Sequence, residues 1–318
     1  MRKTVLTCAA LLAALTASAL AGCSGTDRDR GAGRPPGTPG THGTTPGTPG
    51  APRTTPGPGP DRPTAPRTTR PPTAGGSASP SGGPHKALWR PRPGLAWQWQ
   101  LDGKVDPSAD VPVYDIDGFE NSAADVARLH RAGRKVICYV NVGAWEDFRP
   151  DKDAFPRSVL GAVNGWRGER WLDIRRVRVL RPIMERRFDM CRDKGFDAVE
   201  PDLVEGYGNR TGFPLTADDQ LRYNRVIADI AHERGLAVGL KNDLPQIPQL
   251  VADFDFAVNE ECAQYDECAR LTPFVEAGKA VFHVEYEEPT SDFCPESRKL
   301  NLSSMLKKPE LGVWREPC

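Results

Sequence analysis

The stretch Asp197-Ala-Val-Glu-Pro-Asp-Leu-Val-Glu-Gly-Tyr207 places two acids where a strand is expected to be apolar, and then breaks into a glycine-containing loop. Alternate side chains of a strand share a face, so Ala198, Glu200 and Asp202 point one way while Val199 and Leu203 point the other. One face is oily and the other ends in two carboxylates. An unpaired buried carboxylate is costly, so such acids are paired, partly hydrated or functional. Pro201 supports the end of a strand, because proline cannot donate to a central ladder. The alternative is an exposed edge strand carrying solvated acids.

On either side of this stretch, strand-like runs alternate with helix-like ones. The strand candidates are residues 95–101, 111–118, 135–142, 236–243, 254–261 and 280–287, with 311–314 as an eighth. In the first of them Trp97, Trp99 and Leu101 alternate with Gln98 and Gln100. Amphipathic segments lie between them at 123–132, 176–194, 216–234, 247–252, 265–277 and 292–306. Several end on a glycine stop, at Gly133, Gly195, Gly235 and Gly278, and Thr216 reads as a helix N-cap followed by acids. This βα rhythm, repeated seven or eight times in one domain, predicts an α/β fold of the (β/α)8 TIM-barrel type. An open doubly wound sheet fits less well, since no glycine-rich phosphate loop follows the first strand.

In such a barrel the active site lies at the C-terminal ends of the strands. Asp115, Asp117, Asn141, Asp202, Lys241, Asn242, Asp243, Asn259, Glu260, Glu285 and Glu287 all fall in the C-terminal halves of the strand candidates, so a polar cleft is expected there. The connection 143–173 carries Trp145, Phe148, Trp166 and Trp171 without a clear helix, and loops of that size serve as binding walls. Its aromatics offer flat faces to sugar rings, or else pack the loop down.

The 318 residues carry 42 basic and 42 acidic side chains, a balance that offers nothing to nucleic acid or to an anionic membrane. Residues 1–22 read as a signal peptide ending in Leu20-Ala-Gly-Cys23, which resembles a bacterial lipobox with Cys23 as the lipidated residue. Residues 23–86, rich in Pro, Gly and Thr, have too little apolar surface to fold and form a disordered tether, which leaves 87–318 as the folded domain. The only membrane contact expected is the lipid anchor, which places the protein on the outer face of the cytoplasmic membrane. Without the lipid it is secreted. Six cysteines remain in the domain, an even number that points to three disulfides in an exported protein. Cys262 with Cys268 forms a short clasp and Cys294 with Cys318 a C-terminal staple, leaving Cys138 and Cys191. No cysteine or histidine spacing suits a metal, and no cofactor is expected. Nothing in the sequence requires more than a monomer.

The motifs Trp97-Gln-Trp-Gln-Leu101, Val136-Ile-Cys-Tyr139, Trp145-Glu-Asp147, Glu169-Arg-Trp-Leu-Asp-Ile174, Asp197-Ala-Val-Glu-Pro-Asp202, Gly206-Tyr207, Gly212-Phe-Pro-Leu-Thr216, Gly239-Leu-Lys-Asn-Asp243, Asn259-Glu260 with Cys262, Tyr265-Asp-Glu-Cys268 and Val284-Glu-Tyr286 occur in order. Over residues 88–318 the chain resembles glycoside hydrolase family 114. The resemblance implies a (β/α)8 barrel with endo-α-1,4-polygalactosaminidase activity on microbial exopolysaccharide and an acidic pair at Asp202 and Glu260. Glu261 departs from the glutamine expected beside that pair.

Glycosidic cleavage needs one carboxylic acid to protonate the leaving oxygen and one carboxylate to attack or to activate water. Asp202 is assigned as nucleophile or base and Glu260 as acid. Lys241 is placed to keep one carboxylate ionised, and Glu200 or Glu261 to raise the other. Asp115, Asp117, Glu200 and Glu285 are expected to pair with a cationic amino sugar, with Asn242 beside them. Tyr139, Tyr207 and Trp97 are expected to contact its rings. The alternatives are a tethered polysaccharide-binding protein without turnover and a metal-dependent deacetylase, the latter disfavoured by five scattered histidines.

Overall fold

The computed structural model describes residues 88–318. The expected signal peptide, Cys23 and the tether lie outside the described residues. Eight parallel strands follow one another in chain order: β1 (Trp97–Gln100), β2 (Val113–Asp117), β3 (Lys135–Asn141), β7 (Ala198–Asp202), β8 (Ala237–Lys241), β9 (Phe256–Glu260), β10 (Val281–Glu285) and β11 (Ser303–Leu306). A short β12 (Glu316–Pro317) adds antiparallel to β11. The missing numbers, β4 (Ala144–Glu146), β5 (Leu160–Val163) and β6 (Glu169–Leu172), form a separate antiparallel sheet inserted after β3.

The strands curl into a barrel of the expected type. Its first and eighth strands share no ladder, and side chains bridge the seam instead. The Trp97 indole donates to the Ser303 carbonyl at 2.8 Å and the Gln98 amide to the Val313 carbonyl at 2.7 Å. The register fixes which parity of each strand faces inward: Trp97 lies beside Val113, Ile137 beside Ala198, Val258 beside Phe282, and Val284 beside Met305. These residues, with Trp99 and Phe256, make the inner core. The opposite parity, including Val136, Cys138, Val199, Val238 and Leu240, packs beneath the helices.

Helices α1 (Ala123–Arg131), α2 (Val177–Lys194), α3 (Ala217–His232), α4 (Ile247–Leu250), α5 (Thr272–Glu276) and α6 (Thr290–Lys299) fill the crossovers. Thr216 caps α3 in a reciprocal box with Asp219, as its sequence suggested, and Ser122 does the same for α1 with Asp125. Gly195 ends α2 in the left-handed conformation that a side chain would oppose. Among the described residues no helix follows β1, and α4 and α5 are short, so the eightfold pattern is incomplete.

Three expectations shift. The eighth strand is Ser303–Leu306 rather than 311–314, and α6 stops at Lys299 instead of running to 306. The connection 143–173 is a three-stranded sheet, where sequence showed only a loop.

The three disulfides are Cys138–Cys191, Cys262–Cys268 and Cys294–Cys318. Cys138–Cys191 ties β3 to α2 across 53 residues, a span whose closure removes about 4 kcal/mol of chain entropy from the unfolded state. Cys262, Cys268 and His283 lie close together, but both sulfurs are spent in a disulfide and neither is available as a thiolate ligand.

Candidate active site

Asp202, Lys241 and Glu260 are the last residues of β7, β8 and β9, and all three have the inward parity. Their side chains meet at the barrel mouth. The Lys241 ammonium lies 2.9 Å from Asp202 Oδ1, 3.1 Å from Glu200 Oε1 and 3.3 Å from Glu260 Oε2, and 4.9 Å from the Trp99 ring. One cation therefore serves three carboxylates. Burial alone would lower the lysine's pKa, but the charges of Asp202, Glu260 and Glu200 outweigh it and hold the group well above its ordinary value.

Asp202 also accepts from the Tyr139 hydroxyl at 2.7 Å. Burial pushes its carboxyl up, but the Lys241 charge and the hydrogen bonds from Tyr139 and Lys241 outweigh burial and leave it below its ordinary value. Glu260 accepts from the Tyr286 hydroxyl through Oε1, and the Asn242 amide lies 3.4 Å from Oε2. The two acids are the part-exposed members of the cluster, at 15% and 26% of their side chains, whereas Lys241 is 3% exposed. Leu203, Asn242 and Glu261, each directly after one of these residues, have φ of 59°, 49° and 62°. Such left-handed backbone in non-glycine residues costs on the order of 1 kcal/mol or more each and gathers at functional sites.

Above this cluster lies a cavity of about 340 Å³ walled by Trp99, Tyr139, Trp166, Glu169 and Glu205. Glycosidic cleavage calls for two carboxyl groups facing a cleft, and Asp202 and Glu260 are the part-exposed carboxylates of this cluster.

The profile of glycoside-hydrolase family GH114 matches residues 79–318. Among solved structures, Aspergillus fumigatus Ega3, crystallised in complex with galactosamine, is 41% identical, with a TM-score of 0.70 over 74% of this chain and 100% of that one. The glycoside hydrolase domain of PelA from Pseudomonas aeruginosa matches at 15% identity and a TM-score of 0.55, covering 69% and 97% of the two chains, and shows the shared fold. A search of curated proteins returned no match. The chain belongs to glycoside-hydrolase family GH114. It is a glycoside hydrolase with a TIM-type barrel.

Among the residues singled out from sequence, the structure gathers Asp202, Glu260, Lys241, Tyr139 and Asn242 around the cleft of this family member. It does not bring Glu200, Asp115, Trp97, Tyr207 or Glu285 there, and Asp117 lines a neighbouring hollow instead. Glu200 and Asp115 share the inward parity but sit one layer lower and are fully buried. Glu200 accepts from the Trp99 indole at 3.0 Å and pairs with Lys241. Burial, then the charge of Glu200, holds the Asp115 carboxyl well above its ordinary range. Asp117 is taken up by Arg149, which grips both its oxygens at 3.0 and 2.7 Å. Trp97 is 1% exposed, packed between Trp99 and Phe282, and reaches no ligand. Tyr207 lies on a turn (Gly206–Gly208) and hydrogen-bonds Asp243, and burial followed by the Asp243 charge pushes its hydroxyl up to about 12.

Glu285 has the outward parity. It is fully buried and accepts from the Ala263 amide and faces His283, both at 2.8 Å or less. β10 alternates Val281, His283 and Glu285 with Phe282 and Val284, and the sequence alone does not show that the polar set faces outward.

Sequence reasoning missed Glu169 and Glu205. Burial, relieved in part by the Asn164 amide, lifts Glu169 to about 7, and burial with the Asp202 charge lifts Glu205 to about 7. Neither ends a barrel strand. Glu169 is on β6, within the motif that begins Glu169-Arg-Trp, and Glu205 follows β7 in the loop of the opening stretch.

Proposed function

We propose that the protein is an endo-acting hydrolase of α-1,4-linked galactosamine-containing exopolysaccharide, with Asp202 as nucleophile and Glu260 as general acid and base. The observation that carries this reading is the hold of Lys241 on both carboxylates at once. Two oxygens contacting the same ammonium at these distances lie within about 6 Å of each other, short of the ~6.5–9.5 Å that leaves room for a water in inverting enzymes. This spacing favours a double displacement with retention over inversion.

In the first step Asp202, kept ionised, attacks the anomeric carbon while Glu260 gives its proton to the departing glycosidic oxygen. The ester at Asp202 removes that residue's charge, and Lys241 is then left to stabilise the Glu260 carboxylate. That is the form needed to take a proton from the incoming water in the second step. Tyr139 and Tyr286 keep the two carboxyls oriented through hydrogen bonds.

The substrate class follows from the charge of the cleft. Glu169, Glu205 and Glu310 line it with Asp102, while Lys241 is the single base among the lining residues and is already paired. A polymer with free amines fits this field better than a neutral or anionic one. The galactosamine held by Ega3 supports the same choice of sugar. Three disulfides suit an oxidising compartment, in keeping with an exported chain anchored through Cys23.

The test is to incubate the purified protein with de-N-acetylated α-1,4-galactosamine polymer, read products by mass spectrometry and follow anomeric configuration by NMR. Oligosaccharides of retained configuration from the wild type, with none from Asp202→Asn or Glu260→Gln, are the expected result. Binding without any product would make the protein a tethered polysaccharide-binding module, and an inverted product would remove the covalent intermediate.

A further inference from the structure

A second cavity of about 430 Å³ adjoins the cleft, and Leu101, Asp102, Tyr139 and Glu169 line both. The two volumes are therefore one groove across the barrel mouth, and the catalytic pair occupies only its first lobe. The floor of the second lobe is electrically spent, because Arg149 binds Asp117 through both carboxylate oxygens and Glu146 at 2.8 Å. Its rim differs. Asp102 and Glu120 are exposed and enter no ion pair within 4 Å among the described residues.

The lobe also holds an exposed aromatic in a fixed position. Phe148 is 58% exposed and stands on the wall of this lobe. The Arg149 guanidinium lies 5.1 Å from its ring and 4.9 Å from that of Phe119, and Arg149 itself is 5% exposed and anchored by the bonds to Asp117 and Glu146. A buried, hydrogen-bonded cation thus braces Phe148, whose ring lines the lobe.

We propose that this lobe is a further sugar subsite, in which Phe148 stacks on an amino-sugar ring remote from the scissile bond and Asp102 and Glu120 accept its ammonium group. The proposal rests on the amino-sugar reading of the cleft. It makes the enzyme favour longer chains, since only they span both lobes.

The experiment measures affinity by calorimetry for de-N-acetylated α-1,4-galactosamine oligomers of graded length, using the full chain with Asp202→Asn so that binding is read apart from turnover. Adding Phe148→Ala should reduce the ratio of long-oligomer to short-oligomer affinity roughly 3- to 10-fold, and Phe148→Trp should restore it. Adding Glu120→Gln should weaken long free-amine oligomers while leaving the ranking of their N-acetylated counterparts unaltered. An equal loss at every length, or no loss at any, would overturn the subsite, as would failure of any oligomer to bind. If oligomers bind and Phe148 shows its length-dependent effect while the unmutated protein cleaves none of them, the subsite stands and the hydrolase reading of this polymer fails.

Discussion

Lys241 has one charge to share among Glu200, Asp202 and Glu260, and this shortage sets the acid–base behaviour of the site. Asp202 takes the shortest contact and the additional Tyr139 hydrogen bond, so its carboxyl is the depressed one and the activity depending on its ionised form is lost only as pH falls through that lowered value. Replacing Lys241 with Met leaves the acids facing one another. The acidic limb of kcat/KM should move up by about 1–3 pH units, and a pH–rate profile reads the shift directly. An unmoved limb would mean that Lys241 only fills space. Glu169 and Glu205, held near 7, are neutral in weak acid and charged above it. KM for a free-amine oligomer should therefore pass through a minimum near neutral pH, since these acids are neutral below it and the sugar ammonium is lost above it, and Glu169→Gln should make that minimum shallower.

At the scale of elements, the inserted sheet β4–β6–β5 supplies Trp166 and Glu169 to the cleft, and a buried ion-pair chain locks it to the barrel. Arg187 on α2 binds Asp151 at 2.7 Å and reaches Glu146, which Arg149 links to Asp117 on β2. Removing Arg187 as Ala strands Asp151 and leaves Glu146 to Arg149 alone, at a cost of about 3–5 kcal/mol, and thermal unfolding should show a drop of roughly 10 °C. The passage from β3 into the insertion depends on Gly143, where a Cβ would meet the Leu203 carbonyl oxygen at 1.7 Å. Leu203 follows Asp202, so Gly143→Ala should both destabilise the fold and displace Asp202, the proposed nucleophile, lowering kcat more than the loss of folded protein explains. Sequence did not reveal this sheet, because strands of three or four residues are too short to show a period. It misplaced the eighth strand for a related reason. Ser303 and Ser304 interrupt the apolar run, and the helical pattern of α6 reads on through them.

The whole molecule carries a pH dependence of stability that follows from its cleft. Glu169 and Glu205 titrate near 7 and Asp243, lifted by burial and the Glu205 charge, near 8. Their unfolded counterparts ionise near 4. Between those limits the folded protein binds more protons than the unfolded chain, so stability falls as pH rises. His232, raised chiefly by its Asp255 hydrogen bond, acts in the same direction, because the bonus of its protonated form fades as pH climbs. The melting temperature should be higher at pH 5 than at pH 7.5, and Glu205→Gln should reduce the difference. A flat or rising profile by scanning calorimetry would show that these acids are hydrated and ordinary.

Period and punctuation in the sequence determined the barrel class, seven of its eight strands and the Thr216 cap, because these depend on local alternation and helix stops, while the even number of cysteines pointed to three disulfides without fixing their partners. Alternation also placed Asp202 and Glu260 among eleven polar residues at strand ends, and the family resemblance singled out that pair. The tertiary structure decided which parity of each strand faces the lumen. That register puts Glu285 outside, lowers Glu200 and Asp115 beneath the floor, and selects Glu260 over Glu261 by turning the backbone left-handed at the latter. It also decided which charges are already spent: Asp117 is bound to Arg149, whereas Glu169 and Glu205 arrive in the cleft from outside the barrel strands. Inward parity and charge pairing are set by neighbours distant along the chain, and for that reason only the folded molecule expresses them.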